Sequence, residues 1–594
     1  MEAVAGLLLA ADLVVVCCSV VARYGLNAPI EWSDDVARGL MVALSFFGAA
    51  AAVSRGESLG VAFFVERARP GVRRVAEAWA ALLTAVAAGF IAVHALTLGA
   101  LTAGQTTGSG LPLEWSFYPM GAAAACMAVF AAERLLRHRV RDVVVAAMLA
   151  GVVTGAWLVV DAIWPDTVPP GLLMGAAFLL CLVCGVGIGF VLALSALVYV
   201  WTEGALPGVI FAQQMARGID NFVLLAIPFF ILVGTLMEQN GMSVRLIALL
   251  ERMVGRVRGG LNVVMVLSMV VFSGISGSKM ADVAAVGSVL IPAARRARQD
   301  PGAAVALLAA SAVMAETIPP CINLIILGFV ANLSIGGLFV AGLLPAGLMA
   351  LALIGAAVLF GTRQPAVTVE QRVPMRQLWG GLAVVVGLLV IIFGGFRSGF
   401  ATATEISAFA AAYALVVGGA AFRELSAGAA ARAFQHSAVR AGLVLFIVAA
   451  AQSVAFMLTL QQVPHMLADA MITLSRTGGA GLFMVLSIGI LIVMGSVLEG
   501  AAALIIFGPL LVPVATQLGI APLHYGVVLV IAMGIGLFAP PLGLGLYGAC
   551  LIGGVPIEVT VRPMLRWLGL LLACLMVIAF VPSITMWLPR AAGY

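Results

Sequence analysis

Charge is scarce in this chain. Acidic and basic residues together make up 10% of its 594 positions, against 63% hydrophobic residues. Soluble domains carry about a quarter charged residues, so composition excludes one. Lysine is nearly absent: Lys279 stands alone among 31 basic residues, the rest being arginine. Without a basic face, nucleic-acid binding is excluded. Cysteine is sparse, with 8 residues scattered through apolar stretches apart from Cys17-Cys18 and the Cys181, Cys184 pair. The second pair has CxxC spacing but no second pair of ligands, so it reads as core packing. No GxxxxGK[ST] stretch is present, which excludes a P-loop nucleotidase. HExxH, GxSxG and clustered metal ligands are missing too, so the chain is expected to be no enzyme and to carry no cofactor. What abounds is apolar sequence, enough for a dozen or more spans of ~20 residues. The chain reads as an all-α polytopic integral membrane protein.

Arginine in short loops marks the cytoplasmic side of a membrane. Arg55, Arg67, Arg69, Arg73 and Arg74 fall in one inter-span segment, and Arg134, Arg137, Arg139 and Arg141 follow another span. The loops at 25–35 and 102–115 hold Glu31, Asp34, Asp35 and Glu114 and no arginine. Four helices near 4–24, 36–54, 75–101 and 116–136 satisfy this pattern, making residues 1–140 a four-helix unit with a cytoplasmic N-terminus. Val4–Val21 lacks a basic leader and a cleavage site, so it reads as a retained helix. An apolar run from Val143 to Ile163, stopped by Trp164-Pro165-Asp166 and Pro169-Pro170, reads as a linker helix within 141–170. It would return the chain to the outer face, where a large unit, 171–594, begins.

The large unit contains an internal repeat. A shift of 221 positions places Gly260-Leu261 on Gly481-Leu482, Gly274 on Gly495 and Gly287 on Gly508. It also places Pro292 on Pro513, Pro301 on Pro522, and Pro319-Pro320 on Pro540-Pro541. With 26 prolines in 594 residues, four coincidences in so short a stretch are not chance, and the copies are structural repeats, spanning about 171–361 and 378–590. Arg245, Arg252, Arg256 and Arg258 precede the first apolar hairpin, and Arg295, Arg296 and Arg298 follow it. Residues 261–292 therefore enter from the cytoplasm and return. Arg363, Arg372 and Arg376, then Arg423, Arg432 and Arg440, are counted as cytoplasmic, so the second hairpin, 481–513, begins and ends outside. The repeats are thus expected to be inverted, as in alternating-access transporters, with the C-terminus periplasmic. For the count to close, 171–201 must cross twice, turning near Gly185–Gly189, or another span is misread.

Irregular backbone facing lipid costs several kcal/mol per unpaired group, so broken helices survive where they line a cavity or bind something. Two kinds of break occur here, each twice. One is the hairpin tip: Ser273-Gly274-Ile275-Ser276-Gly277-Ser278, and Gly495-Ser496-Val497-Leu498-Glu499-Gly500. The other is the Pro-Pro break: Ile318-Pro319-Pro320-Cys321, and Ala539-Pro540-Pro541-Leu542-Gly543. Glycine and proline are common in membrane helices, and one such break would say little; four in register say more. Proline frees upstream carbonyls, which suit a hard cation, and half-helix N-termini favour an anion. The pattern reads as two cation sites flanking one anion site. Ionisable residues inside spans are costly and functional by default. Asp282 follows the first tip and Glu316 precedes the first Pro-Pro pair. Lys279, at the tip, either snorkels to the interface, pairs with Asp282 or Glu316, or meets a substrate carboxylate. Glu405, in Thr402-Ala403-Thr404-Glu405, either caps a broken span or binds. Asp161, Glu238 and the five histidines read as interfacial or structural.

The stretch Ala226-Ile-Pro-Phe-Phe-Ile-Leu-Val-Gly234, the SGS with Ala281-Asp282, the IPP break, Thr-x-Thr-Glu, and Gly519-Ile-Ala-Pro522 leading to Ala539-Pro-Pro-Leu-Gly543 are specific motifs. In that order they resemble the large membrane subunit of tripartite ATP-independent periplasmic (TRAP) transporters. Residues 1–140, with Glu31-Trp32-Ser33-Asp34-Asp35 and Phe47-Gly48-Ala49-Ala50, resemble the small subunit more weakly. The resemblance implies a fused permease in a bacterial inner membrane, partnered by a periplasmic substrate-binding protein and by no ATPase subunit. It implies sodium-driven uptake of an organic anion, mostly carboxylates in this family, by an elevator-type motion. Its sodium-site regions carry over to Gly274, Ser276, Gly277, Ser278, Asp282, Pro319 and Pro320 in one repeat. In the other they carry over to Gly495, Glu499, Pro540 and Pro541, with Thr402, Thr404 and Glu405. Substrate contact is expected at Lys279, Ser278, Glu316, Cys321 and Gly543. The chain departs from the family's usual residues at Cys321 (serine), Ala403 (proline), Lys279 (a small residue) and Leu544-Gly545 (asparagine). The alternatives are a stand-alone inverted-repeat anion transporter, and an antiporter-like subunit of a respiratory complex. The latter would need a file of buried Lys, Glu and His, for which one lysine and five histidines are too few.

Overall fold

The computed structural model describes residues 1–594 except 58–64, 66, 164–168, 205, 256, 362–373, 399–400, 423 and 541–542. Arg256, Arg363, Arg372, Arg423, the Trp164-Pro165-Asp166 stop, Pro541 and Leu542 therefore lie outside the described residues. Apart from one bridge between Thr106 and Pro112, all described regular structure is helical. This is the form a bilayer demands, because a helix satisfies its own backbone. Among the described residues twelve helices are long and apolar enough to cross a membrane, and the protein is a multi-pass membrane protein.

The first four run Glu2–Gly25, Ser33–Arg55, Pro70–Leu101 and Glu114–Leu136, followed by Val140–Ile163. Their ends are chemically marked. Gly56, at φ 74°, stops the second, and Pro70 opens the third at a position where its missing N–H costs nothing. The segment 171–201 is two helices, Pro170–Val183 and Ile188–Glu203, packed on each other about a turn at Gly185 (φ 77°). With 14 and 16 residues they are about 21 and 24 Å long, short of a ~30 Å hydrocarbon core.

The chain forms two compact units. One comprises Met1–Pro228 and Phe434–Met466. Within it, small residues let helices approach closely, the usual device where lipid removes the hydrophobic drive for association. A Cβ on Gly48 would fall 2.5 Å from the Ala438 carbonyl oxygen and 2.9 Å from Gly442 Cα. Phe446 fills the adjoining space, 5.7 Å edge-on from Phe46 and 5.0 Å from Phe190. Asp12 is fully buried in the first helix, and neither carboxyl oxygen has a hydrogen-bond partner among the described residues.

The other unit comprises Phe229–Ala433 and Leu467–Tyr594. It contains the hairpin and the broken helix of both repeats, and these elements keep the 221-residue register. Gly260–Ser276, Lys279–Arg296, Pro301–Ala315 and Ile322–Val330 are matched by Gly479–Val497, Gly500–Gln517, Pro522–Phe538 and Leu544–Gly553. Packing between them is reciprocal. Lys279–Arg296 lies on Leu544–Gly553, and Gly500–Gln517 lies on Ile322–Val330. Equivalent glycines make the contacts: a Cβ on Gly287 would meet Ile552 at 3.1 Å, and one on Gly508 would meet Val330 at 3.3 Å. Such exchange is what two repeats related by a local two-fold axis produce.

Gly48→Leu is expected to destabilise the first unit by about 1–3 kcal/mol through overpacking against backbone. Thermal unfolding in detergent, beside Gly89→Leu, where a Cβ would meet nothing within 4 Å, checks this.

Candidate functional site

Both hairpin tips are narrower than the sequence suggests. At the first, the helix continues through Ser273, Gly274, Ile275 and Ser276, and only Gly277 and Ser278 interrupt it. At the second, Gly495, Ser496 and Val497 stay helical, and Leu498 and Glu499 interrupt. These two-residue breaks are again 221 positions apart. Glycine and serine reduce helix propensity, but here the neighbouring helices hold most of them helical. Gly277 must be glycine for two reasons. Its φ is 62°, and a Cβ would lie 2.7 Å from the Pro320 carbonyl oxygen. That contact seats the first tip directly on the first Pro-Pro break. Ser273 Oγ ties them further, donating to the Ala315 carbonyl at 2.8 Å. In the second repeat, a Cβ on Gly495 would lie 2.5 Å from the Met533 carbonyl oxygen.

The Pro-Pro breaks follow the same plan. Pro301–Ala315 ends at Glu316, the Pro319-Pro320 peptide is cis, and Ile322–Val330 starts after Cys321. Pro522–Phe538 ends at Ala539, and Leu544–Gly553 starts after Gly543. A Cβ on Gly543 would lie 2.6 Å from the Ala539 carbonyl oxygen. Pro540 is described; Pro541, expected beside it in the second sodium region, is outside the described residues.

The structure brings the first repeat's charged residues together in two groups. In one, Ser276 Oγ donates to the Asp282 carboxylate and accepts the Ser278 amide at 3.1 Å. Asp282 is buried, and its Oδ2 has no hydrogen-bond partner among the described residues. It faces a cleft lined also by Gly234, Glu238, Phe272, Ile275 and Ser276. In the other, Lys279 Nζ forms an ion pair with Glu316 Oε1. Glu316 Oε2 accepts from Asn323 Nδ2 at 2.8 Å and from Cys321 Sγ at 3.8 Å. Lys279 therefore does not snorkel to an interface, and its partner is Glu316, not Asp282. Its side chain is 14% exposed and that of Glu316 is 0%.

Glu499 is the N-cap of Gly500–Gln517, accepting the Ala501 amide at 3.1 Å. Thr402 and Glu405 form a capping box: Glu405 Oε2 accepts the Thr402 amide at 2.7 Å, and Thr402 Oγ1 accepts the Glu405 amide at 3.3 Å. Of the two roles open to Glu405, the structure displays the cap. Thr404 is buried beside it. Three residues escape sequence reasoning. Glu238 reads as interfacial or structural and lines the Asp282 cleft, Asn323 is unremarkable until it reaches Glu316, and Asp12 is a lone acid in an apolar run. A rule that flags every acid inside an apolar helix would have found Asp12. Among the histidines, His524 is structural, bonded to Thr585 at 2.7 Å and the Ala579 carbonyl at 3.1 Å.

Two interrupted hairpins and two interrupted helices are thus held in one unit. Residues 176–584 match the model of the tripartite ATP-independent periplasmic transporter, DctM component, and residues 12–141 match the DctQ component. The chain is a fused TRAP-transporter permease. Its similarity to TRAP permeases runs along nearly all of its length. It is 29% identical to the isethionate TRAP transporter permease protein DctMQ of Oleidesulfovibrio alaskensis, over 94% of this chain and 88% of that one. It is 33% identical to the sialic acid TRAP transporter large permease protein SiaM of Vibrio cholerae, over 69% of this chain and 96% of that protein. The C4-dicarboxylate TRAP transporter large permease protein DctM of Pseudomonas aeruginosa is 32% identical, over 66% and 93%. In fold, the TRAP chain is similar to Neisseria gonorrhoeae MtrF, with a TM-score of 0.50 and 15% identity over 71% of this chain and 96% of that one.

Gly277→Ala is expected to destabilise the protein by more than the roughly 1–2 kcal/mol of a left-handed non-glycine residue, since it also meets the Pro320 carbonyl. Gly274→Ala, whose Cβ would find ordinary contacts no closer than 3.5 Å, is expected to be tolerated. Thermal unfolding of the two variants side by side separates them; equal stability would contradict the tip geometry.

Proposed function

We propose that this permease is the membrane component of a TRAP system that takes up an organic anion, most simply a carboxylate, delivered by a periplasmic binding protein and driven by a sodium gradient. The observation that carries the reading is the gathering of both hairpin tips and both Pro-Pro breaks into one interlocked unit. Broken helices present amide groups to an anion and freed carbonyls to a cation. The first cation region is Ser276, Gly277, Ser278, Asp282 and the Pro319-Pro320 carbonyls, where an unpartnered carboxylate oxygen and hydroxyls make a hard-cation donor set. The second is Gly495, Glu499 and Pro540, with Thr402, Thr404 and Glu405 contributing from the capped helix. The anion would meet Ser278, Cys321 and Gly543 between them. The relatives named for sialic acid, C4-dicarboxylate and isethionate support an organic acid as cargo.

In this reading the N-terminus is cytoplasmic and the C-terminus periplasmic, from the arginine loops. The hairpins and broken helices move together as an elevator, and their reciprocal packing supports movement as one body. Proteoliposome uptake with the cognate binding protein, scanned over sialic acid, C4-dicarboxylates and isethionate in sodium and in choline, tests both parts. Sodium-dependent uptake of one acid is expected. Uptake independent of the binding protein would favour the stand-alone transporter, and equal rates in sodium and choline would refute the coupling ion.

A further inference from the structure

The repeat register gives the sole lysine a definite counterpart. Lys279 and Gly500 are 221 positions apart and each opens the helix after its hairpin tip. The two residues also meet: a Cβ on Gly500 would lie 2.9 Å from Lys279 Nζ. The lysine of one repeat thus reaches across to the other, into space that its glycine counterpart leaves empty. There the ammonium pairs with buried Glu316 and lies against Gly500, the residue that follows Glu499 at the second tip. One carboxylate comes from the first repeat's Pro-Pro break and the other from the second repeat's tip, so the cation bridges the elements that the transport reading requires. Glu316 has no acidic counterpart, since Leu537 stands at its position in the other repeat.

We propose that Lys279 is a tethered cation that takes the place of a coupling ion: its ammonium permanently fills a monovalent-cation position between Glu316 and Glu499. The inference rests on the sodium-coupled reading above. Burying a carboxylate without a countercharge is strongly unfavourable, so removal of the ammonium leaves an anionic cavity with carboxylate and Asn323 amide-bearing walls. A free cation of sodium's size and hardness suits it.

The test uses the full-length permease in detergent, without any organic substrate, and sodium chloride titrated against choline chloride at constant ionic strength. Thermal unfolding is recorded for the wild type, Lys279→Ala and Lys279→Ala with Glu316→Gln. By linkage, each additional bound ion steepens the dependence of stability on the logarithm of sodium concentration. Lys279→Ala is expected to be less stable than wild type in choline, to recover in sodium, and to show a slope steeper by about one ion. The double variant, with the carboxylate charge removed as well, is expected to return to the wild-type slope. A Lys279→Ala protein with the wild-type slope, or one that sodium does not rescue at all, overturns the tethered cation while leaving sodium coupling intact if the wild type responds to sodium. If neither protein responds to sodium, the sodium reading falls as well.

Discussion

A helix that stops inside a bilayer exposes amides and carbonyls that lipid cannot satisfy, at several kcal/mol each. This permease stops helices four times in register, and the rest of its architecture is arranged around covering those ends. Part of the cover is local. Ser273 bonds the last carbonyl of Pro301–Ala315, Ser276 takes the Ser278 amide, and Glu499 takes the Ala501 amide. Part comes from the other repeat, as each hairpin's second arm lies on the short half-helix that follows the other repeat's Pro-Pro break. Each repeat thus covers helix ends of the other.

The same constraint accounts for the glycines that cannot be replaced. Gly277, Gly495 and Gly543 each stand where a side chain would strike a carbonyl oxygen. Close backbone approach is also what lets carbonyl oxygens converge on an ion. In the proposed reading, stability of the interrupted elements and cation binding follow from one packing arrangement. Charge follows the same logic, since Asp282 is held by Ser276, and Glu316 by Lys279 and Asn323.

Much of this was legible in the sequence, for identifiable reasons. The first four spans and the register between the repeats are set by apolar length and by glycine and proline, whose backbone chemistry acts locally. The extent of each interruption was not legible: Ser273 to Ser276 and Gly495 to Val497 look like breaks by composition, yet tertiary contacts keep them helical. The partner of Lys279 was narrowed by sequence to Asp282, within one turn, or Glu316, far along the chain, and the fold selects Glu316. Glu238 and Asn323 join their carboxylate neighbours only through packing between helices, which a single sequence does not display.

The central claim is that the two hairpins enter the bilayer from opposite leaflets. Single cysteines placed at Arg298 and Gly519, just beyond the second arm of each hairpin, test it in a background lacking the native thiols. They are labelled with a membrane-impermeant maleimide in intact and in permeabilised cells. The account predicts that Arg298→Cys reacts only after permeabilisation and that Gly519→Cys reacts in intact cells. Labelling of both positions from the same side would contradict it.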